Sequence, residues 1–208
     1  MTRLPPAARI RSGVFLVPED RQRDGLLQNL SVAKNLSISS LWQLRRLIWV
    51  DSKREAETTR GMIDRLRIRL SSPEVNITAL SGGNQQKVVI GKSLLTSPKL
   101  LLLDEPTRGI DIGAKAEVFK IMRGLADSGL AVVFATSDLK EAMSAADRII
   151  VMAQGRITAD LRHDQATEEL LVAASTHGIA GPAEHRPAQT TPSPTAAHAA
   201  AARPAPES

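Results

Sequence analysis

Two stretches of the chain combine residue types that could handle a phosphate and its counter-ion. In Leu80-Ser81-Gly82-Gly83-Asn84-Gln85-Gln86-Lys87, a serine and two glycines stand where a helix is expected to begin. Such a start presents free backbone N–H groups and partial positive charge, and glycines let the backbone approach a phosphate closely. In Leu100-Leu101-Leu102-Leu103-Asp104-Glu105-Pro106-Thr107, an apolar strand ends in two carboxylates. One can associate with Mg²⁺ while the other polarises a water, and a strand end is a rigid mount for both. A third stretch, Gly91-Lys92-Ser93, looks like the end of a phosphate-binding loop. That loop needs Gly-x-x-x-x-Gly-Lys-Ser/Thr after a strand. Here Gln86 stands at the first glycine's position, and the triplet falls mid-helix between Ile90 and Leu94.

Around these residues the pattern predicts the elements that must position them. Val14-Phe15-Leu16-Val17 reads as a buried strand closed by Pro18, and residues 19–25 as a charged loop ending in Gly25, too polar for the core. Ser31 is expected to cap a short helix over 32–36. Asp51 opens an amphipathic stretch to about Leu70, with Ala56, Met62, Ile63, Leu66 and Leu70 on one face. Beyond Ser81, helices are expected over 82–95, 114–127 and 139–145, between strands at 100–103, 131–135 and 149–152. The continuous apolar run at 100–103 suits a parallel sheet buried on both faces. Gln154-Gly155 is a turn before a return strand over 156–161, and 164–175 a final helix. This β-α-β-α-β order predicts a layered α/β core. From Thr176 on, half of the prolines and ten alanines occur with almost no large apolar side chain, so the tail is expected to be disordered. The expected divisions are an extension over 1–12, a strand and loop over 13–29, a mainly helical subdomain over 30–97, the α/β core over 98–175 and the tail over 176–208.

The 208 residues, 42% of them hydrophobic, suffice for one domain with a proper core. The absence of cysteine excludes a disulfide framework and thiolate metal sites, and is compatible with a reducing cytoplasm. No apolar run approaches the ~20 residues of a membrane helix, and residues 1–13 lack the apolar segment of a secretory signal. A soluble protein is therefore expected, reaching any membrane through a partner. The net charge of +5 would suit nucleic acid. The charge is dispersed, however: residues 45–69 hold eight Lys or Arg but also Asp51, Glu55, Glu57 and Asp64. With no tyrosine, three Phe and two Trp, a base-stacking platform is not expected. The basic residues read as a solvated helix face, and nucleic acid is not an expected partner.

Residues 13–175 resemble the second half of the second ATP-binding cassette of a bacterial sugar importer of the ribose/xylose/galactose type, within the ABC ATPases. The resemblance is carried by Val17-Pro18-Glu19-Asp20-Arg21-x-Arg23-Asp24-Gly25-Leu26, Leu80 to Gln86, Leu103 to Thr107, Arg108-Gly109-Ile110-Asp111, Thr136-Ser137-Asp138 and Asp147-Arg148-Ile149-Ile150-Val151-Met152. The Pro-Glu-Asp-Arg loop and the asparagine after Ser-Gly-Gly favour this subgroup. It implies a partial P-loop NTPase core of parallel strands flanked by helices, with a helical subdomain carrying the signature motif. In the family two cassettes meet head to tail, and the signature of one covers the ATP γ-phosphate held by the Walker A of the other. The resemblance gives that signature role to Ser81, Gly82, Gly83 and Asn84. It makes Asp104 the Mg²⁺-associated carboxylate, Glu105 the general base and Asp111 the D-loop residue. The Q-loop glutamine aligns with Glu19 and the switch histidine with Ser137; a serine can donate a hydrogen bond but cannot carry positive charge. The Walker A itself would lie several dozen residues before the Q-loop strand, and twelve residues precede Gly13.

The resemblance therefore implies an energy-coupling component of a sugar importer, using ATP and Mg²⁺. Its expected partners are a Walker A-bearing cassette and membrane permease subunits, and its expected place is the cytoplasmic face of the plasma membrane, held there peripherally. The family hydrolyses ATP, but without a Walker A this chain is not expected to do so alone. A different expectation is a standalone, non-catalytic half-cassette that docks on a full ATPase and modulates it. A DNA-acting ABC protein is disfavoured by the sugar-type loop at 18–25.

Overall fold

Apolar strands and amphipathic helices alternate along the chain. In the computed structural model, which describes residues 4–46 and 49–177, they assemble around one long buried helix. A short helix α1 (Pro6–Arg11) precedes β1 (Val14–Val17). Residues 19–25, expected as a loop, instead close into a helical turn, Arg21–Gly25. The cause is Asp20, whose carboxylate accepts the N–H groups of Gln22 and Arg23 at 3.0 Å each.

Helix α2 (Val32–Ser37) is capped by Ser31 as its sequence predicts. A 3₁₀ turn leads to α3 (Leu41–Leu44), followed by two short antiparallel strands, β2 (Arg45–Arg46) and β3 (Trp49–Val50). Asp51 caps α4 (Ser52–Leu66), which ends short of Leu70 because Arg67 adopts a left-handed backbone at φ +50°. Met62, Ile63 and Leu66 face the core as expected. Ala56 does not; it is exposed, and Thr59 takes the buried place on that face, with its hydroxyl returned to the Glu55 carbonyl at 2.9 Å.

The remaining elements are α5 (Gly82–Leu94), β4 (Leu100–Asp104), α6 (Ile112–Asp127), β5 (Ala131–Ala135), α7 (Leu139–Ala145), β6 (Arg148–Ala153), β7 (Arg156–Arg162) and α8 (Glu168–His177). The last helix starts later than expected, because residues 163–165 form a 3₁₀ turn. Strands β1, β4 and β5 form a parallel sheet in the order β1-β4-β5. Helix α5 packs on β1, α2, α4 and α6, and α6 packs on β5. Val88, Val89 and Ile90 are thereby fully buried, beside Val17, Leu101 and Leu103 of the sheet.

Two expectations are corrected here. The sheet is not buried on both faces: Leu16, Leu102 and Val133 share one row, and Leu16 and Val133 are each 56% exposed. Helices among the described residues cover only the opposite face. Nor does the last strand of the predicted β-α-β-α-β series join the sheet. Instead β6 pairs with β7 in a separate hairpin, whose Ile149 and Val151 pack against Leu171 and Ala174 of α8. Of the tail expected to be disordered, residues 178–208 lie outside the described residues.

Candidate functional site

The N-terminus of α5 is open. Ser81 is its N-cap in extended backbone, yet makes no side-chain cap bond. Its hydroxyl oxygen accepts instead from the Asn84 amide at 3.0 Å, while the Asn84 side-chain oxygen accepts the Arg69 N–H at 2.9 Å. The Ser81 O–H is therefore left to donate outward. Among the described residues, no hydrogen bond leaves the N–H groups of Gly82, Gly83 or Asn84, the donors every helix start leaves without intrahelical acceptors.

Both glycines also permit close packing. A Cβ on Gly83 would stand 2.4 Å from the Ala114 Cβ of α6, and one on Gly82 would stand 2.6 Å from Arg21 Nη2. Arg21 reaches across from the helical turn after β1. It donates to the carbonyls of Arg108 at 2.8 Å and Gly109 at 3.1 Å. Burial holds its pKa below the ordinary arginine value, against the pull of Asp20. One guanidinium thus joins the 18–25 loop, the signature end of α5 and the segment before Asp111. Asp111 caps α6 by accepting the Ala114 N–H at 2.9 Å, so Asp111 and Gly83 meet at the same residue. Lys87, buried at 3% side-chain exposure, donates to the Arg67 carbonyl at 3.1 Å and to Glu117 at 2.6 Å, tying the end of α4 to α6.

The second group sits at the C-terminal end of the sheet. Asp104 is exposed, and its carboxylate accepts no hydrogen bond among the described residues. Glu105 has φ +43°, a left-handed backbone that costs a side-chain-bearing residue about 1–3 kcal/mol. It is held by its N–H to the Ala135 carbonyl at 2.9 Å, and its Oε1 accepts the Ser137 N–H at 2.7 Å. The structure therefore brings the predicted base and the predicted switch position into direct contact, through a backbone donor. Glu19 forms an ion pair with Arg108. An open hollow of about 940 Å³, lined by Phe119, Arg123, Asp147 and His163 among others, contains none of these residues.

Sequence reasoning missed two residues. Arg21 lies in the recognised 18–25 loop, but nothing in its spacing reveals a target nearly ninety residues away. Glu141 lies in the first turn of α7, where an acid reads as an ordinary complement to the helix dipole. In the structure it is 8% exposed and accepts from Thr107, Lys115 and Thr136. Burial pushes its pKa up, but those donors outweigh burial and hold it below the usual carboxylate range.

A profile of the ABC transporter family matches residues 5–108, half of the chain, through the signature run and the Asp104–Glu105 strand end. The chain belongs to the ABC transporter family. Among similar ABC proteins are the ribose import ATP-binding protein RbsA of Rhodopirellula baltica, 46% identical over 82% of this chain, and the xylose import ATP-binding protein XylG of Moorella thermoacetica, 43% identical over 81%. The chain spans 33% of the length of each. Of solved structures, a dimeric ATP-binding cassette in a post-hydrolysis state with ADP and Pi is similar at TM-score 0.63 and 21% identity, over 77% of this chain and 68% of that one. The cbiO1 protein of Clostridium perfringens, part of an ABC transporter complex, is similar at TM-score 0.63 and 23% identity, over 76% of this chain and 60% of its own. These likenesses show a shared ABC ATPase fold, of which the chain holds a partial cassette. Among the described residues no helix is long and apolar enough to cross a membrane.

Proposed function

We propose that the chain is an energy-coupling component of a sugar ABC importer, whose Ser81, Gly82, Gly83 and Asn84 complete an ATP site on a Walker A-bearing cassette. The observation that carries this reading is the open N-terminus of α5, where backbone donors and a serine O–H lack partners among the described residues beside two glycines. A helix start of this kind is a ready anion site, and phosphate is the anion that would use all of its donors. The names of the relatives, ribose and xylose import proteins, support a sugar as the cargo. Permease subunits would then hold the assembly at the cytoplasmic face of the membrane.

Asp104 and Glu105 would serve a triphosphate lying beside the end of β4. The Asp104 carboxylate is exposed and accepts no hydrogen bond among the described residues, which leaves its oxygens open to Mg²⁺. When bound, ATP with Mg²⁺ supplies the transferable phosphoryl group and neutralises its charge. Glu105 Oε1 is occupied by the Ser137 N–H, which leaves Oε2 to take a proton from water.

The test is ATP turnover by the chain assembled with a Walker A-bearing cassette. Ser81→Ala should lower it about 100-fold, the usual effect of removing one preorganised donor. Its exposed position predicts a stability change within about 0.5 kcal/mol. Unaltered turnover in that variant would rule out the composite site.

A further inference from the structure

Glu141 is a buried carboxylate with every oxygen in use, and the proposed reaction gives it no part. Its Oε1 accepts from the Thr107 hydroxyl at 2.7 Å and from Lys115 Nζ at 2.8 Å; its Oε2 lies 2.8 Å from the same Thr107 hydroxyl and accepts from Thr136 at 2.9 Å. These donors come from three separate segments. Thr107 follows Glu105 by two residues, Lys115 stands in the first turn of α6 after Asp111, and Thr136 directly precedes Ser137. Thr107 is itself 1% exposed, so solvent offers it little alternative acceptor.

Thr136 is fixed from both sides, since its hydroxyl also accepts the Asp138 N–H at 3.1 Å. Asp138 caps α7 by accepting the Lys140 N–H at 2.9 Å, which anchors the same turn of helix that carries Glu141. The peptide between Thr136 and Ser137 is thereby held so that the Ser137 N–H meets Glu105 Oε1 at 2.7 Å.

We propose that Glu141 is a positioning residue that sets the Glu105 carboxylate through Thr136 and the Ser137 backbone N–H, and that binds the end of β4, the start of α6 and the turn before α7 into one unit. With serine where the family's switch histidine would stand, this backbone N–H is the polar group of that turn which reaches Glu105. Removing the Glu141 charge weakens its bonds to Thr107, Lys115 and Thr136 together. The turn then relaxes, and the Ser137 N–H leaves Glu105. This inference rests on the reading of Glu105 as the water-activating carboxylate, but its test does not require turnover.

The test is the amide spectrum and amide exchange of the full chain, in the native form and in the variants Glu141→Gln, Thr136→Val and Glu105→Gln. Glu105→Gln removes the charged acceptor and calibrates the Ser137 signal; it should move that resonance upfield. Glu141→Gln should move it in the same direction and speed its exchange about tenfold or more, the factor expected for a lost charge-assisted hydrogen bond. Thr136→Val, which deletes only the hydroxyl link, should do the same to a smaller degree, and it decides the matter if Glu141→Gln does not fold. A folded Glu141→Gln or Thr136→Val chain whose Ser137 amide stays at its native position and exchange rate overturns the proposal. Those results stand whatever the assembled ATPase does. Loss of the Ser137 contact without any ATP turnover by the native assembly would uphold the positioning role and reject the transport reading.

Discussion

Helix α5 carries two glycine-containing runs that look alike in sequence and behave differently in the fold. Ser81-Gly82-Gly83 begins the helix, and the N–H groups of Gly82 and Gly83 have no partners among the described residues. Gly91-Lys92-Ser93 lies more than two turns further along the same helix, where each element of the apparent phosphate motif has an internal use. A Cβ on Gly91 would stand 2.8 Å from Leu36 Cδ2, 3.0 Å from Met62 Cγ and 3.1 Å from Leu66 Cδ1, so this glycine lets α2 and α4 close on α5. Lys92 hydrogen-bonds the Gly25 carbonyl, and the Ser93 hydroxyl returns to Ile90 at 2.5 Å. What separates a phosphate site from a packing site is where the N–H groups go. At a helix start they are free, and in mid-helix they belong to the preceding turn.

The sharpest way to break this contrast is to place the same methyl group at both glycines. Gly83→Ala should cost ATP turnover of the assembled cassette pair about 100-fold or more, because a Cβ at 2.4 Å from Ala114 must shift the open end of α5. Gly91→Ala should leave turnover per folded molecule unchanged. It should destabilise the chain by about 1–3 kcal/mol through overpacking, offset in part by the better helix propensity of alanine, about 1 kcal/mol. Thermal melting and turnover measured on both variants check the pair. Lost turnover in a fully folded Gly91→Ala chain would remove the distinction.

The middle-sized effect concerns what holds the open end in place. Lys87 belongs to the signature run by sequence but works as a staple between α4 and α6 through Arg67 and Glu117. The Lys87 ammonium, bonded to the Glu117 carboxylate, holds that carboxyl below its ordinary pKa, with Arg69 adding to the effect. A carboxyl depressed in the folded state contributes stability above its unfolded pKa, and that contribution is lost as pH falls through the folded value. Glu117→Gln should therefore flatten the acid limb of the stability curve and leave the neutral limb parallel to the native one. Because Glu117 is partly exposed, the change should be modest. Denaturant melts across the acid range would show it, and an acid limb as steep as the native one would place the proton uptake elsewhere.

Most of the elements were legible because they follow from short-range rules. Capping residues at Ser31 and Asp51 mark helix starts, and the apolar runs at Val14–Val17 and 100–103 mark strands. The Ser-Gly-Gly and Asp-Glu stretches were legible for the same reason: their chemistry depends on neighbours in sequence. The rest depends on distant partners. Arg21 finds the carbonyls of Arg108 and Gly109, and Glu141 gathers three segments. The bare face of the sheet is of this kind too. Leu16 and Val133 are as apolar as their neighbours, and only the placement of α5 and α6 decides which row is covered.

The smallest effect tests the packing side of the contrast at Lys92. This ammonium is largely removed from water and, among the described residues, meets one acceptor, the Gly25 carbonyl. Burial pushes its pKa below the ordinary lysine value. The sign follows from proton counting. Between the folded and unfolded pKa values the unfolded chain binds more protons, so stability rises with pH through that window. At neutral pH the charge is therefore a burden, offset by the bond to Gly25. Lys92→Met keeps the length and apolar body of the side chain while removing both the burden and the bond. The two nearly cancel, so stability at neutral pH should change by less than about 1 kcal/mol, and the alkaline rise should disappear. A phosphate-binding lysine would behave otherwise, since its loss would cost nucleotide affinity while leaving the alkaline stability curve as it was.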